Sequence, residues 1–244
     1  GAGALGQLYG VRLSTVGVDV SFLVRPSRAT EASPFVIEAQ QGDRRRDVLQ
    51  APRRVVSVPE ETDLVLVTVH FEQLLPEGGG APLVEVLRPS RAPIVVLSPM
   101  LSSGQRALEE ALGRPVLAAM PGVAAYVDER RVVRFWASPL TPTTLDRGEG
   151  HPGLGEASSR LSEKLCAAGL PTSQRASLGR TNTALTVAFF PWIAAILPAR
   201  GVIGLAQDRQ LLGTTREAFR ETLQLGRRLG LDALVWAPAS ALTR

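Results

Sequence analysis

The 244-residue sequence predicts an α/β fold, a doubly wound sheet flanked by helices, followed by a smaller all-helical domain. Three observations carry that expectation. A three-glycine turn, Gly1-Ala2-Gly3-Ala4-Leu5-Gly6, opens straight into a helical pattern. Apolar runs of strand length then alternate with helical segments. Strand-like text stops near Gly179, beyond which the chain reads as helices punctuated by Pro191, Pro198 and Gly201, so the domains are drawn at 1–178 and 179–244.

Each element follows from its own pattern. Residues 4 to 15 form a helix with Leu5, Leu8, Val11 and Leu13 near one face, and Gly17 supplies the left-handed stop. Val18 to Val24 is the next strand, ended by Arg25 and Pro26. Pro34 to Gln40 and Asp47 to Gln50 flank a Gly42-Asp43 turn as a small appended hairpin. Asp63 to Val69 and Pro93 to Leu97 have the unbroken apolar character of parallel strands buried on both faces. Gln105 to Leu112 is a short helix, and Pro115 to Ala119 a further strand. Arg131 to Thr144 reads as antiparallel strands closing the sheet, with Gly155 to Ala168 as a helix lying across it. The uncharged stretch Thr181 to Ala199 approaches membrane-spanning length, but Pro191 predicts a helix pair broken there rather than a span.

Composition narrows the function. A hydrophobic share of 45% with 20% charged residues belongs to a folded globular protein. The pI near 10.1 comes from scattered arginines, with Lys164 the sole lysine, and no aromatic interleaving marks a nucleic-acid surface. One cysteine, Cys166, and two histidines, His70 and His151, are too few soft ligands for a zinc site, so no metal is expected. The absence of a cysteine framework fits a reducing, cytoplasmic setting.

The glycine turn is the sharpest chemical signal. Gly1 permits the tight turn, Gly3 lets the backbone approach a pyrophosphate, and Gly6 lets the helix pack on the sheet. The helix start, with Ala4 and Leu5, offers unpaired N–H groups and partial positive charge to phosphate. This is the Rossmann dinucleotide pattern. Such a turn follows a buried strand of about five residues. Here the turn begins at residue 1, so an upstream strand outside the 244 residues is expected. At the end of the second strand, where an acid would hold the ribose 2'-hydroxyl of NAD, stands Arg25, whose guanidinium grips a 2'-phosphate. NADP(H) is therefore the expected cofactor. Arg28 follows it, as either a solvated loop charge or a second contact.

With these residues in view, the sequence resembles the ketopantoate reductases, which reduce 2-dehydropantoate with NADPH. The resemblance lies in Gly1 to Gly6, Leu23-Val24-Arg25-Pro26, Asp63 to Val69, Met120-Pro121-Gly122-Val123 and a helical domain from about Gly179. It implies cofactor and a small carbonyl substrate between a Rossmann domain and a helical domain, and a homodimer through the helical half. Membrane and nucleic-acid partners are not expected. His70 stands where the family has a lysine near the cofactor, and can still donate to a ribose or phosphate. Ser98-Pro99-Met100 replaces a Gln-Asn-Gly turn.

The family's catalytic lysine should fall around Asn182 to Thr186, where there is none, and its late serine and acidic signature would lie beyond Arg244 or is absent, leaving the helical domain truncated. By position the remaining donors are Asn182, Thr183 and Thr186, all feeble acids. Two readings result: an NADP(H)-dependent reductase acting on a 2-oxo acid or related carbonyl, or a non-catalytic NADP(H)-binding protein that kept the fold and lost its proton donor. His151, in a glycine-rich loop, and the aromatic residues Phe135, Trp136, Phe189, Phe190 and Trp192 are read as surface loop and core.

Overall fold

The structure is a computed structural model, which describes residues 1–41, 44–74, 81–137, 141–196, 198–199 and 201–228. It divides into two compact units, Gly1–Leu178 and Gly179–Arg244.

The first unit is built on a Rossmann-type sheet. Helix α1 (Ala4–Ser14) opens the chain, Gly17 turns it at a φ of 79°, and β1 (Ser21–Leu23) follows. Next come β2 (Phe35–Ala39), β3 (Arg46–Leu49), β4 (Arg53–Val55) and β5 (Val65–Val67). Helix α2 (Ala81–Leu87), β6 (Ile94–Val96), α3 (Ser102–Leu112) and β7 (Leu117–Met120) continue the alternation. The unit ends with β8 (Val123–Val127), β9 (Val132–Ala137), β10 (Thr143–Asp146), α4 (Pro152–Ala167) and β11 (Thr172–Arg175). The main sheet has the order β11-β10-β7-β6-β5, with β5, β6 and β7 parallel and β10 antiparallel to β7. Strands β1 and β4 pair in parallel as a separate ribbon.

The core explains the layering. Strand β6 is buried throughout; Ile94 and Val96 pack with Val84, Leu87, Leu108 and Leu112 of α2 and α3, while Val95 and Leu97 meet Tyr9, Leu13, Leu161 and Leu165 of α1 and α4. Period-two alternation thus serves a helix layer on each face. A third cluster joins Leu8 and Val11 of α1 to Phe35, Ile37, Val133 and Phe135. Those residues belong to a second sheet of order β3-β2-β9-β8, in which β2 and β9 run parallel and the other pairs antiparallel. Helix α1 therefore lies between two sheets, and every residue from Gly6 to Leu13 is buried.

Several expectations need correction. The β2–β3 hairpin is no appendage, and of the Arg131–Thr144 stretch only β10 adds an antiparallel strand to the main sheet, while β9, like β2, β3 and β8, lies elsewhere. They form the second sheet instead, because β2 and β9 pair through Val36↔Val132 to Ala39↔Phe135 and cover the outer side of α1. The hairpin turn at Gly42 and Asp43 lies outside the described residues. Strand β5 is only half-buried at Val65 and Leu66, not buried on both faces, since among the described residues its pairing is to β6 alone. Strands β4, β8 and β11 are not anticipated by the sequence reading.

In the second unit the helix pair expected at Pro191 is one helix, α5 (Leu178–Ile196), with the proline inside it. The ring removes one backbone donor, but Trp192, one residue on, is half-buried and packs edge-to-face on Phe219 at 5.9 Å, which anchors the turn after the proline. Helices α6 (Val202–Gln207) and α7 (Arg209–Arg228) complete the described part. Among the described residues no helix is long and apolar enough to cross a membrane.

Candidate functional site

The site is assembled where α1 begins. Gly3 is the N-cap, with φ −79° and ψ −171°, and no side chain caps the helix. The first helical bond is Gln7 N–H to the Gly3 carbonyl at 2.9 Å, so the N–H groups of Ala4, Leu5 and Gly6 precede the helix's own acceptors. A Cβ added at Gly3 would meet nothing within 4 Å, whereas one at Gly6 would sit 1.7 Å from the Gly1 carbonyl oxygen and 2.8 Å from Thr68 Oγ1. The two glycines therefore serve different ends. Gly6 permits a contact inside the protein, while Gly3 keeps open the space in front of three free N–H groups. That arrangement suits a phosphate group.

Side chains that sequence reasoning passed over hold this turn in place. Thr68 Oγ1 donates to the Gly1 carbonyl at 3.2 Å, and Gln7 Nε2 donates to the Ala2 carbonyl at 2.9 Å within the protein. Their only trace in the sequence is a lone hydroxyl closing an apolar strand and a lone amide in an apolar helix. Further along α1, Gly10 is obligatory, because a Cβ there would lie 2.5 Å from the Phe22 ring. The buried Tyr9 hydroxyl shares a 2.6 Å hydrogen bond with Thr143 Oγ1, which also accepts from the Gly122 N–H at 3.2 Å. Burial pushes the Tyr9 phenol up to about 12, against the smaller opposing pull of the Thr143 bond. Arg12, also buried, is held by Asp47 at 2.9 Å.

Arg25 lies two residues beyond β1 and is exposed. The 11 residues of α1 climb about 16 Å, and the chain from Val20 to Arg25 returns about the same distance. Topology thus brings Arg25 back to the end of the unit where α1 starts. Arg28 is committed elsewhere: its Nε and Nη2 donate to the two carboxylate oxygens of Glu31 at 2.9 and 3.0 Å. The pair holds the Glu31 carboxyl below its usual range and the guanidinium above its own. Of the two arginines, Arg25 is the one left for a ligand.

His70 is exposed and follows β5, two residues after Thr68, on the same rim as the glycine turn. The replaced turn at Ser98 is structural, since Ser98 is buried and its hydroxyl donates to the Val69 carbonyl, while Met100 is buried in the core. Lys164 is exposed on α4, and His151 is exposed at the start of that helix. Trp136 stacks on Tyr126 at 5.8 Å, and Phe135 lies in the core. Among the described residues no three metal-binding side chains gather.

The candidate donors belong to the second unit. Asn182, on α5, is wholly buried, and neither amide atom has a hydrogen-bond partner among the described residues. Thr183 and Thr186 share that helix, and their side chains lie outside the described residues. A buried amide without partners is costly and calls for a polar companion.

Comparison with known proteins agrees with this geometry. Residues 1–134 match the family model described as ketopantoate reductase PanE/ApbA. Among solved structures, 2-dehydropantoate 2-reductase from Geobacter metallireducens GS-15 superposes with a TM-score of 0.66 at 21% identity, over 92% of this chain and 72% of that one. A PanE/ApbA family ketopantoate reductase from Ralstonia eutropha JMP134 gives 0.71 at 19%, over 95% and 74%. A D-mandelate dehydrogenase solved with NADH and anilino(oxo)acetate gives 0.71 at 14%, over 99% and 76%. No curated protein sequence matches the chain. With more than half of its residues under the family model and the same fold throughout the first unit, the chain belongs to the ketopantoate reductase PanE/ApbA family.

Proposed function

We propose that the protein is an NADP(H)-dependent reductase of the ketopantoate reductase type, transferring hydride to the carbonyl carbon of a small 2-oxo acid or a related compound. The observation that carries this reading is the open start of α1: a glycine with nothing within 4 Å of its Cβ position, in front of three free N–H groups. Backbone donors at Gly3, Ala4, Leu5 and Gly6 hold the pyrophosphate, and Arg25 holds the 2'-phosphate through its planar fork. His70 is placed to donate to ribose or phosphate. The bound nicotinamide supplies the hydride; the chain must position the carbonyl and deliver a proton to the alkoxide. By position the donors available for that proton are Asn182, Thr183 and Thr186, and the buried Asn182 amide has no partner among the described residues. Its family membership supports the reaction class, and the mandelate dehydrogenase shows this fold carrying NADH beside an oxo acid derivative.

Calorimetric titration with NADPH and NADH tests the cofactor assignment. Wild type is expected to prefer NADPH, and Arg25→Ala to lose tenfold or more in NADPH affinity while NADH is unchanged. Equal affinity for both nucleotides in both proteins would remove the assignment. NADPH oxidation followed at 340 nm over a panel of 2-oxo acids tests the chemistry.

A second reading, a non-catalytic NADP(H)-binding protein, is favoured by one observation: α5 contains no lysine, and the chain's sole lysine, Lys164, is exposed on α4. NADPH binding without turnover of any carbonyl would select it.

A further inference from the structure

The turn after β1 carries two arginines and a glutamate at a repeated spacing. Pro26 opens the short 3-10 helix Pro26–Arg28 with Arg25 as its N-cap, and Arg28 N–H donates to the Arg25 carbonyl at 2.8 Å. Glu31 N–H donates in turn to the Arg28 carbonyl at 3.3 Å. Residues three apart in such a turn lie one above the other, which sets Arg25, Arg28 and Glu31 along one edge. The Arg28 fork on that edge is filled, since its Nε and Nη2 donate to the two carboxylate oxygens of Glu31 at 2.9 and 3.0 Å. Water reaches the pair, whose side chains are 36% and 31% exposed. Glu31 has further cations near it. The Arg28 hydrogen bond holds its carboxyl below the usual range, and the charges of Arg131 and Arg54 add to that pull. Arg54 is itself fixed, donating to the Ser33 carbonyl at 2.8 Å and lying over the Phe35 ring at 4.8 Å.

We propose that Glu31 is an internal competitor for the ribose 2'-phosphate: its carboxylate occupies the Arg28 fork that the phosphate would otherwise share with Arg25, and so sets how strongly the protein separates NADP(H) from NAD(H). This rests on the reading of the rim beyond β1 as the seat of that phosphate. The match is chemical first, because a carboxylate and a phosphate present the same pair of oxygens to a guanidinium fork, and Arg28 cannot give both its paired donors to each at once. Position comes next, since Arg28 stands one short turn from Arg25 on the same edge. The lock is also shallow. A half-exposed carboxylate pair is held weakly, and a doubly charged phosphate is the stronger partner. Once displaced, Glu31 is not stranded, because Arg54 and Arg131 remain near it. A bare 2'-hydroxyl brings no charge to draw Arg28 away, so the pair stays closed when NAD(H) binds. Glu31 therefore acts through Arg28, and it lowers the preference for the phosphorylated cofactor.

The test is calorimetric titration of adenosine 2',5'-bisphosphate, NADPH and NADH into wild type, Glu31→Ala and the double variant Arg28→Lys/Glu31→Ala. Removing the carboxylate should tighten both 2'-phosphorylated ligands by about fivefold or more and leave NADH within about twofold. The double variant has the same net charge as Glu31→Ala but lacks the planar fork, and should lose that gain. Unchanged affinity of Glu31→Ala for the phosphorylated ligands overturns the proposal. So does an equal gain in the double variant, which would assign the effect to overall charge, and so does NADH binding that changes with Glu31, which would make the carboxylate a ribose contact. The outcomes also separate the two arginines. A preference for NADPH in wild type with no gain in Glu31→Ala keeps Arg25 and removes Glu31, whereas equal affinities in wild type with a preference acquired by Glu31→Ala support the competitor and remove Arg25 as a sufficient contact.

Discussion

Replacing Gly3 and Gly6 by alanine, one at a time, separates the two jobs of the glycine turn. At Gly3 the backbone sits at φ −79° and ψ −171°, extended geometry that alanine adopts freely, and its methyl would meet nothing within 4 Å. Two small effects oppose each other there. Alanine is a poorer N-cap by about 0.5 kcal/mol, and reduced freedom of the unfolded chain returns about 0.4–1 kcal/mol. Stability should therefore stay within about 0.5 kcal/mol of wild type. Ligand binding should not, because the methyl fills the space before the free N–H groups. An overpacking cost of about 1–3 kcal/mol corresponds to NADPH affinity weaker by about 5- to 150-fold.

Gly6→Ala should behave in the opposite way. Its methyl would lie 1.7 Å from a backbone oxygen that cannot swing aside. A cost above about 3 kcal/mol lowers the melting midpoint of a unit this size by about 6–12 °C or more. Scanning calorimetry and NADPH titration on the two variants give the four numbers needed. Full NADPH affinity in Gly3→Ala, or a wild-type melting point in Gly6→Ala, would refute the reasoning.

Two further outcomes follow from buried polar groups. The Tyr9 phenol is raised from 10 to about 12, so the folded protein keeps its proton where the unfolded chain loses it. The stability this provides is complete below pH 10 and falls by about 2 kcal/mol as pH rises to 12, the remainder being lost above it. Urea midpoints measured from pH 9 to 12 should drop accordingly and flatten in Tyr9→Phe; an equal drop in that variant would disprove the assignment. Asp47→Ala leaves the buried Arg12 guanidinium without its partner and should cost about 3–5 kcal/mol, whereas Glu31→Ala, which releases the half-exposed Arg28, should leave stability close to wild type. Similar urea midpoints for the two variants would contradict this ranking.

How much of this could be read from the chain differs by element. The geometry of the glycine turn was legible because each glycine answers a separate constraint, and β6 because Ile94 to Val96 is apolar at every position and buried at every position. Strands β4 and β11 were not. Arg53-Arg54-Val55 and Thr172-Ser173-Gln174-Arg175 carry little apolar signal, and become strands through main-chain pairing with β1 and β10. The second sheet was hidden for a related reason: its parallel β2–β9 contact joins residues almost a hundred positions apart, which no local pattern records. Pro191 misled because a local penalty of about 3 kcal/mol was weighed without the packing of Trp192 on Phe219. Position at the end of the second strand already ranked Arg25 above Arg28 in the sequence; what only three dimensions supply is the Glu31 carboxylate that occupies Arg28.

The position of α1 between two sheets bears on rates. A helix whose residues from Gly6 to Leu13 are all buried, and whose first turn is pinned through Thr68 and Gln7, has little conformational freedom left to surrender when an anion arrives. Ordering costs that slow and weaken capture by mobile loops are small here. Encounter at this rim should proceed without a preceding rearrangement of the turn, so that differences in affinity among dinucleotides or among variants of the turn appear as differences in residence time. Stopped-flow traces would then share one association rate and part company only on dilution.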